Sequence, residues 1–190
     1  MTKLLQSSIK TIQLTVLSGL LITTPLLHAQ KHSHAEAAAS SNTLLQDVRQ
    51  GTKQFINVNN ATAAGYGPFL GCVTGTDHGA MGIHYVNGTV LSTNTLDPSM
   101  PSALIYEPQA NGALRLVGVE FIVDATTWLA ANNNTPPVLE GQVFNYVGAP
   151  NRFNINSFFE LHVWAWRDNP QGSYVDWNNN VSCQAEQNPS

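Results

Sequence analysis

Phe158 to Trp166 reads FFELHVWAW. In an extended chain alternate side chains share a face. Phe158, Glu160, His162, Trp164 and Trp166 therefore point one way, and Phe159, Leu161, Val163 and Ala165 the other. The second set is plain core. The first joins a carboxylate, an imidazole and two indoles, the mixture that lines ligand pockets. The same set would also suit a wet outer face, or a core histidine satisfied by Glu160 or by a backbone carbonyl.

A second acid interrupts the run LRLVGVEFIV at Glu120, on the face shared by Leu116, Gly118 and Ile122. Burying an unpaired carboxylate is costly, so Glu120 needs a partner or an opening. Glu107 ends the run ALIYE beside Tyr106, and either acid can face His162 or His84. His84 lies inside DHGAMGIHYVN, residues 77 to 87, with His78 in the loop before it and glycines at 79 and 82. Two histidines and a glutamate from separate strands make a transition-metal shell. The metal candidates are His84, His162 and Glu120, with His78 as an outlying fourth; Zn, Fe, Mn or Cu would accept them. Tyr106, Glu107, Glu160 and Trp164 are expected to line the pocket. The same groups could run acid–base chemistry without an ion. No GxSxG elbow, P-loop or dinucleotide fingerprint is present.

These residues must be positioned by strands. The spacing of Leu44, Leu45, Val48, Phe55 and Ile56 predicts a helix over about 43–57, and a shorter one over 60–64, ended by Gly65, Gly67 and Pro68. Strands are expected over 81–86, 103–107, 114–123, 138–144 and 158–166, with a short helix over 126–131. Asn111-Gly112 predicts a hairpin turn between the second and third. Residues 167 to 183 are turn-rich. A helix followed by mainly antiparallel strands gives an α+β domain, with a curved sheet about the helix.

The N-terminus has Lys3 and Lys10, an uncharged apolar stretch over about 12–27, and Leu27-His28-Ala29. This order predicts a signal peptide over 1–29 rather than a spanning helix, since Thr23, Thr24 and Pro25 break the run. Residues 30–42 read as a flexible leader and 43–190 as a single domain. The chain is expected to be secreted or periplasmic, with no membrane span after signal removal. Cleavage after Ala29 would expose Gln30-Lys31-His32, an arrangement that can chelate Cu(II) or Ni(II). The whole chain carries 8 Lys and Arg against 12 Asp and Glu, and its basic residues are scattered, which argues against a nucleic-acid partner. In an exported chain the two cysteines, Cys72 and Cys183, read as a disulfide. Free thiols or metal ligands are the alternative, without a CxxC pairing to support it.

The words AAGYGPF, GAMGIHYVN, LDPSMPSALIYEP, LRLVGVEFIV and LHVWAWRDNPQGSYVDWNNNVSC follow one another over about residues 60–183. In this the chain resembles a family of uncharacterised, mostly secreted bacterial proteins. It departs from that pattern where Asn179 stands in place of Pro in the WNP word, and in a shortened segment before Phe158. The resemblance implies a single domain and supports the Cys72–Cys183 pairing; it implies no reaction.

Two functions follow. One is a secreted domain with a metal- or small-ligand pocket built on His84, Glu120 and His162. The other is a non-catalytic envelope module whose Trp128, Trp164, Trp166 and Trp177 bind glycan, lipid or protein, or pack.

Overall fold

The computed structural model describes residues 43–187. The expected signal peptide, the leader with its Gln30-Lys31-His32 terminus, and residues 188–190 lie outside the described residues. The described part opens with helix α1, residues 43–52, a 3-10 turn Lys53–Ile56, and helix α2, Val58–Ala63. The single helix expected to residue 57 is thus cut at Thr52. Its hydroxyl donates back to the Val48 carbonyl at 2.6 Å, and the last turn tightens. Leu44, Val48 and Phe55 are buried as the spacing predicts, but Ile56 is turned outward and is 55% exposed.

Among the described residues eight strands follow: β1 Gly67–Thr74, β2 Ala80–Val86, β3 Ala103–Pro108, β4 Leu114–Asp124, β5 Val138–Leu139, β6 Gln142–Val143, β7 Asn145–Val147 and β8 Phe158–Val163. Six of them form one antiparallel sheet in the order β1-β2-β3-β4-β8-β7, curved into a half-barrel. The fold is α+β, helix first. Short helices α3, Gly88–Thr93, and α4, Ala125–Ala131, sit at strand ends, and α5, Gln184–Gln187, ends the described chain. Among the described residues no helix is long and apolar enough to cross a membrane.

Several elements depart from the expected ones for local reasons. Pro68 read as a breaker, yet it lies in β1, at the edge of the sheet, where a missing N–H is tolerated. The strand expected over 138–144 is folded on itself at Glu140-Gly141, both at positive φ, into the β5–β6 hairpin. Residues 145–147 then join the main sheet beside β8. β8 stops at Val163 rather than 166, because the Ala165 N–H turns back to the Val163 carbonyl. α3 was unexpected; Asn87 caps it, its side chain accepting from the Thr89 and Val90 N–H groups.

The two sheet faces have different fates. Leu104, Tyr106, Val119, Phe121, Leu161 and Val163 pack beneath α1 in the larger core. Each such burial contributes on the order of 1.5–3 kcal/mol relative to exposure. On the other face Ile105, Val117 and Trp164 form a smaller cluster with Val181 and Cys183 of the C-terminal arm. A bulge at Val117, opposite Ile105 and Tyr106, puts Leu116 in the first core and Val117 in the second. Strict alternation from Leu116 to Glu120 therefore fails, while Glu120 keeps its expected face.

The arm, residues 164–187, is fastened at several points. Ala80 and Asn178 exchange backbone hydrogen bonds at 3.2 and 3.1 Å. A Cβ on Gly79 would lie 2.2 Å from the Asn178 carbonyl oxygen, so this approach requires glycine. Glu107 Oε1 accepts the Ser182 N–H at 3.0 Å, and Glu186 accepts the Cys72 N–H at 2.7 Å. Cys72 and Cys183 form a disulfide across 111 positions. Closing so long a loop is worth roughly 4–5 kcal/mol in the chain-entropy model. The Cys72→Ser/Cys183→Ser double variant should melt about 10 °C lower than wild type, by calorimetry. An unchanged melting temperature would show that the bond does not hold the arm.

Candidate functional site

β4 and β8 pair so that Glu120 lies opposite His162 and Ile122 opposite Glu160. This register places His162 and both acids on the face away from α1. His84 reaches the same place from β2, which pairs with β3. The conformation of β2 depends on Gly82, at φ 98°, where a Cβ would stand 2.7 Å from the Tyr106 carbonyl oxygen.

The three side chains converge. His84 Nε2 is 3.4 Å from His162 Nε2 and 3.4 Å from Glu120 Oε2. All are buried, His162 to 1% exposure. His84, Glu120 and His162 each offer a ligand atom within 4.8 Å of the others and could hold a metal ion. Glu160, His162 and Asp176 form a second such group, sharing His162.

Proton positions make the convergence informative. Burial, then the neighbouring His162, pushes His84 down to about 3; burial alone does the same to His162. Both rings are therefore neutral, each with one N–H and one acceptor nitrogen. The His84 ring hydrogen-bonds the Gly82 backbone. Since Nε2 faces the cluster, Nδ1 serves Gly82, and Nε2 carries the lone pair. His162 Nδ1 is buried without a hydrogen bond, and Asp176 Oδ1 lies 3.7 Å away. If Nδ1 carries the His162 proton, the two Nε2 lone pairs face each other across 3.4 Å beside the Glu120 carboxyl. If Nε2 carries it, a bare Nδ1 faces an acid. Neither tautomer satisfies both ends.

The acids show the same crowding. Burial, then the charge of Glu160, raises Glu120 well above the ordinary carboxylate range, and the two carboxyls share a hydrogen bond. Burial raises Glu160 as well, although its hydrogen bond with Glu120 opposes this. Each carboxyl thus holds a proton more tightly than an exposed acid does, and the hydrogen bond between them requires one. Asp176 is also raised by burial, against the lowering effect of the hydrogen bond it accepts from Asn145 at 3.1 Å.

His84, Glu120, Glu160 and His162 form the floor of a pocket of about 240 Å³. Its walls are apolar, with Met81, Val86, Leu91, Ile122 and Phe158 among them. Phe69, Leu70 and Ile155 stand at the rim, 39%, 54% and 43% exposed. Phe153 and Ile155 are carried by the 148–157 loop. Asn151 holds that loop, donating to the Gly148 and Ile155 carbonyls at 3.2 and 2.9 Å.

The other expected site residues divide between the pocket and its surroundings. Tyr106 does not line the pocket: it faces the main core, and its hydroxyl donates to the Phe55 carbonyl at 2.7 Å. Glu107 shares the pocket's side of the sheet but is taken by the arm through Ser182. Trp164 stacks on His162, centroids 6.1 Å apart, while its indole N–H donates to the Val175 carbonyl. It supports the histidine from the side and is not part of the wall. Glu160 does line the pocket. His78 is exposed in the loop before β2 and belongs to neither candidate group.

The four tryptophans do not assemble. Trp128 donates to Thr135, Trp166 to Thr52, and Trp177 lies over Gly75. Among the described residues no ring contact joins two of them. Asp176 and the apolar wall were not singled out from sequence. The one signal for Asp176 is an acid set between Tyr174-Val175 and Trp177.

Comparison of the chain with protein-family models, with curated proteins and with solved structures found no match.

In chelator-treated protein the buried groups set the pH dependence. Both histidines have folded values near 3, below the ordinary 6.5, so their contribution is intact above 6.5 and lost as pH falls toward 3. The raised acid pair acts oppositely, favouring the fold below about 4.5. Between 6.5 and 4.5 the histidines lower stability as pH falls, and the raised acids oppose them in part. Below 4.5 the acid contribution is complete and no longer changes, so the histidine decline runs unopposed and the slope steepens. Urea unfolding at pH 7, 5.5 and 4 should show this decline, flattened in His84→Gln/His162→Gln. A flat wild-type profile would contradict buried neutral histidines.

Proposed function

We propose that this protein is an exported zinc-binding domain whose ion sits on His84, His162 and Glu120 at the floor of an apolar pocket. The observation that carries this is the pair of 3.4 Å separations among the three ligand atoms. Two donors each about 2.0–2.1 Å from a tetrahedral ion stand about 3.3–3.4 Å apart, whereas donors at right angles on a six-coordinate ion stand about 2.9–3.0 Å apart. The two separations from His84 match the first spacing, and two imidazoles with one carboxylate are a donor set that zinc accepts. An ion would also satisfy all three acceptors at once and displace the proton shared by Glu120 and Glu160.

The surroundings support the same reading. Asp176 lies beside His162 Nδ1, as a carboxylate does behind a metal-bound imidazole, and Gly82 plays that part for His84. Trp164 fixes the His162 ring from one side. An ion held by these three side chains would keep one position for a further ligand, the arrangement of sites that bind or activate a small molecule. Glu160, on the pocket wall, is the group available to take or give a proton there. Export is supported by the basic and apolar order of residues 1–29 and by the disulfide, which persists in oxidising compartments.

Elemental analysis of protein purified without chelator tests the proposal. About one equivalent of zinc is expected, falling to less than about a tenth in His84→Ala and in His162→Ala. Should a variant unfold, cobalt(II) titration of wild type replaces it: a tetrahedral site gives an intense visible absorption, and a six-coordinate one does not. Wild type that retains no ion after dialysis against zinc would overturn the proposal.

A further inference from the structure

The pocket above the three ligands has an unusual division of chemistry. Its polar groups are His84, Glu120, Glu160 and His162, all at one end. The remaining lining is aliphatic, aromatic or thioether, from Phe69 and Val73 on the edge strand to Phe153 and Phe158 at the opposite side. No hydroxyl, amide or basic side chain is placed along the walls to orient a sugar, a peptide or a nucleotide. A polar ligand body would lose its water and gain nothing there.

Size and charge narrow the ligand further. An apolar cavity of about 150 Å³ accepts benzene, so one of 240 Å³ has room for roughly ten non-hydrogen atoms. Three carboxyl groups, Glu120, Glu160 and Asp176, surround the floor. A divalent ion does not outweigh them, and no Lys or Arg lines the pocket. Arg152 is exposed on the loop, with its guanidinium over the Phe153 ring at 5.8 Å, and its charge is the weakest of the influences on His84. An anionic head entering the floor would meet like charge in a place with little water.

We infer that the pocket takes a small neutral apolar molecule carrying one oxygen donor, an alcohol, aldehyde or ketone of about ten non-hydrogen atoms, whose oxygen reaches the His84–His162–Glu120 floor. The apolar body would be held by the walls and the oxygen by the zinc or by the floor's acid proton. The identity of the oxygen's partner rests on the zinc proposal; the size, neutrality and apolar character of the ligand do not.

Calorimetric titration of the purified full chain, zinc-loaded and chelator-treated, tests this with 1-octanol, octanoate and 1-hexadecanol. 1-Octanol matches the expected size and should bind the zinc-loaded protein with a Kd on the order of tens of micromolar. Octanoate should bind at least about tenfold more weakly, and so should 1-hexadecanol, roughly twice the length that fits. Leu91→Trp, which places an indole in the pocket from α3, should weaken 1-octanol at least about tenfold. If that variant proves unfolded by its thermal transition, Ile155→Trp at the exposed rim serves instead. Octanoate binding as tightly as 1-octanol, or 1-octanol unaffected by either tryptophan, would overturn the inference. So would a zinc-loaded protein that binds none of the three. Binding of 1-octanol by a protein that takes up no zinc would uphold the pocket and overturn only the metal.

Discussion

Two neutral imidazoles and a glutamate carboxyl meet nitrogen to nitrogen and nitrogen to oxygen at 3.4 Å, in a place that water barely reaches. With the His162 proton on Nδ1 the two rings and the carboxyl present acceptor atoms to one another; with it on Nε2, Nδ1 is left bare before Asp176. Such a contact costs free energy unless a proton or a cation lies between the atoms. The rest of this face of the protein can be understood from that constraint. Burial keeps the histidines neutral and hence able to donate lone pairs. Gly82 and Asp176 occupy the far sides of the two rings. The sheet's curvature brings a residue of β2 up to residues of β4 and β8, although β3 lies between.

Stability and site are separated by the sheet. The face toward α1 carries the larger hydrophobic core, with Tyr106 anchored to Phe55. That core allows the opposite face to hold polar groups whose mutual repulsion would be intolerable in a thinner structure. The smaller cluster around Val117 and Trp164 ties the C-terminal arm against that same face, next to the pocket. The disulfide and the Ala80–Asn178 bridge fasten the two margins of this cover.

Much of this arrangement was legible from residue order, and the limits have physical causes. Alternation along β8 and β4 put Glu160, His162 and Glu120 on the faces they occupy, because a strand's period of two is local. Polar residues inside apolar runs marked His84 as well. Which strands become neighbours is not local. Glu120 stands opposite His162 because β4 skips β5, β6 and β7 to pair with β8 in that register. The bulge at Val117 defeated the alternation just before Glu120. Tyr106 and Glu107 are adjacent and must face opposite ways, so they could not both have lined one pocket. Asp176 was invisible because its role comes from an irregular arm with no period to read. The edge strand β1 hid behind Pro68, whose effect depends on whether a neighbour lies on its N–H side.

The fastened arm has a consequence for the order in which the site can be built. His84, Glu120 and His162 all precede residue 163 in the chain, whereas Asp176 and the closure at Cys183 lie beyond it. A chain cut near residue 170 would own the whole cluster and lack both the carboxylate behind His162 and the clasp. The cluster is thus encoded by the strands, but its surroundings are completed from the arm, whose place the covalent closure holds.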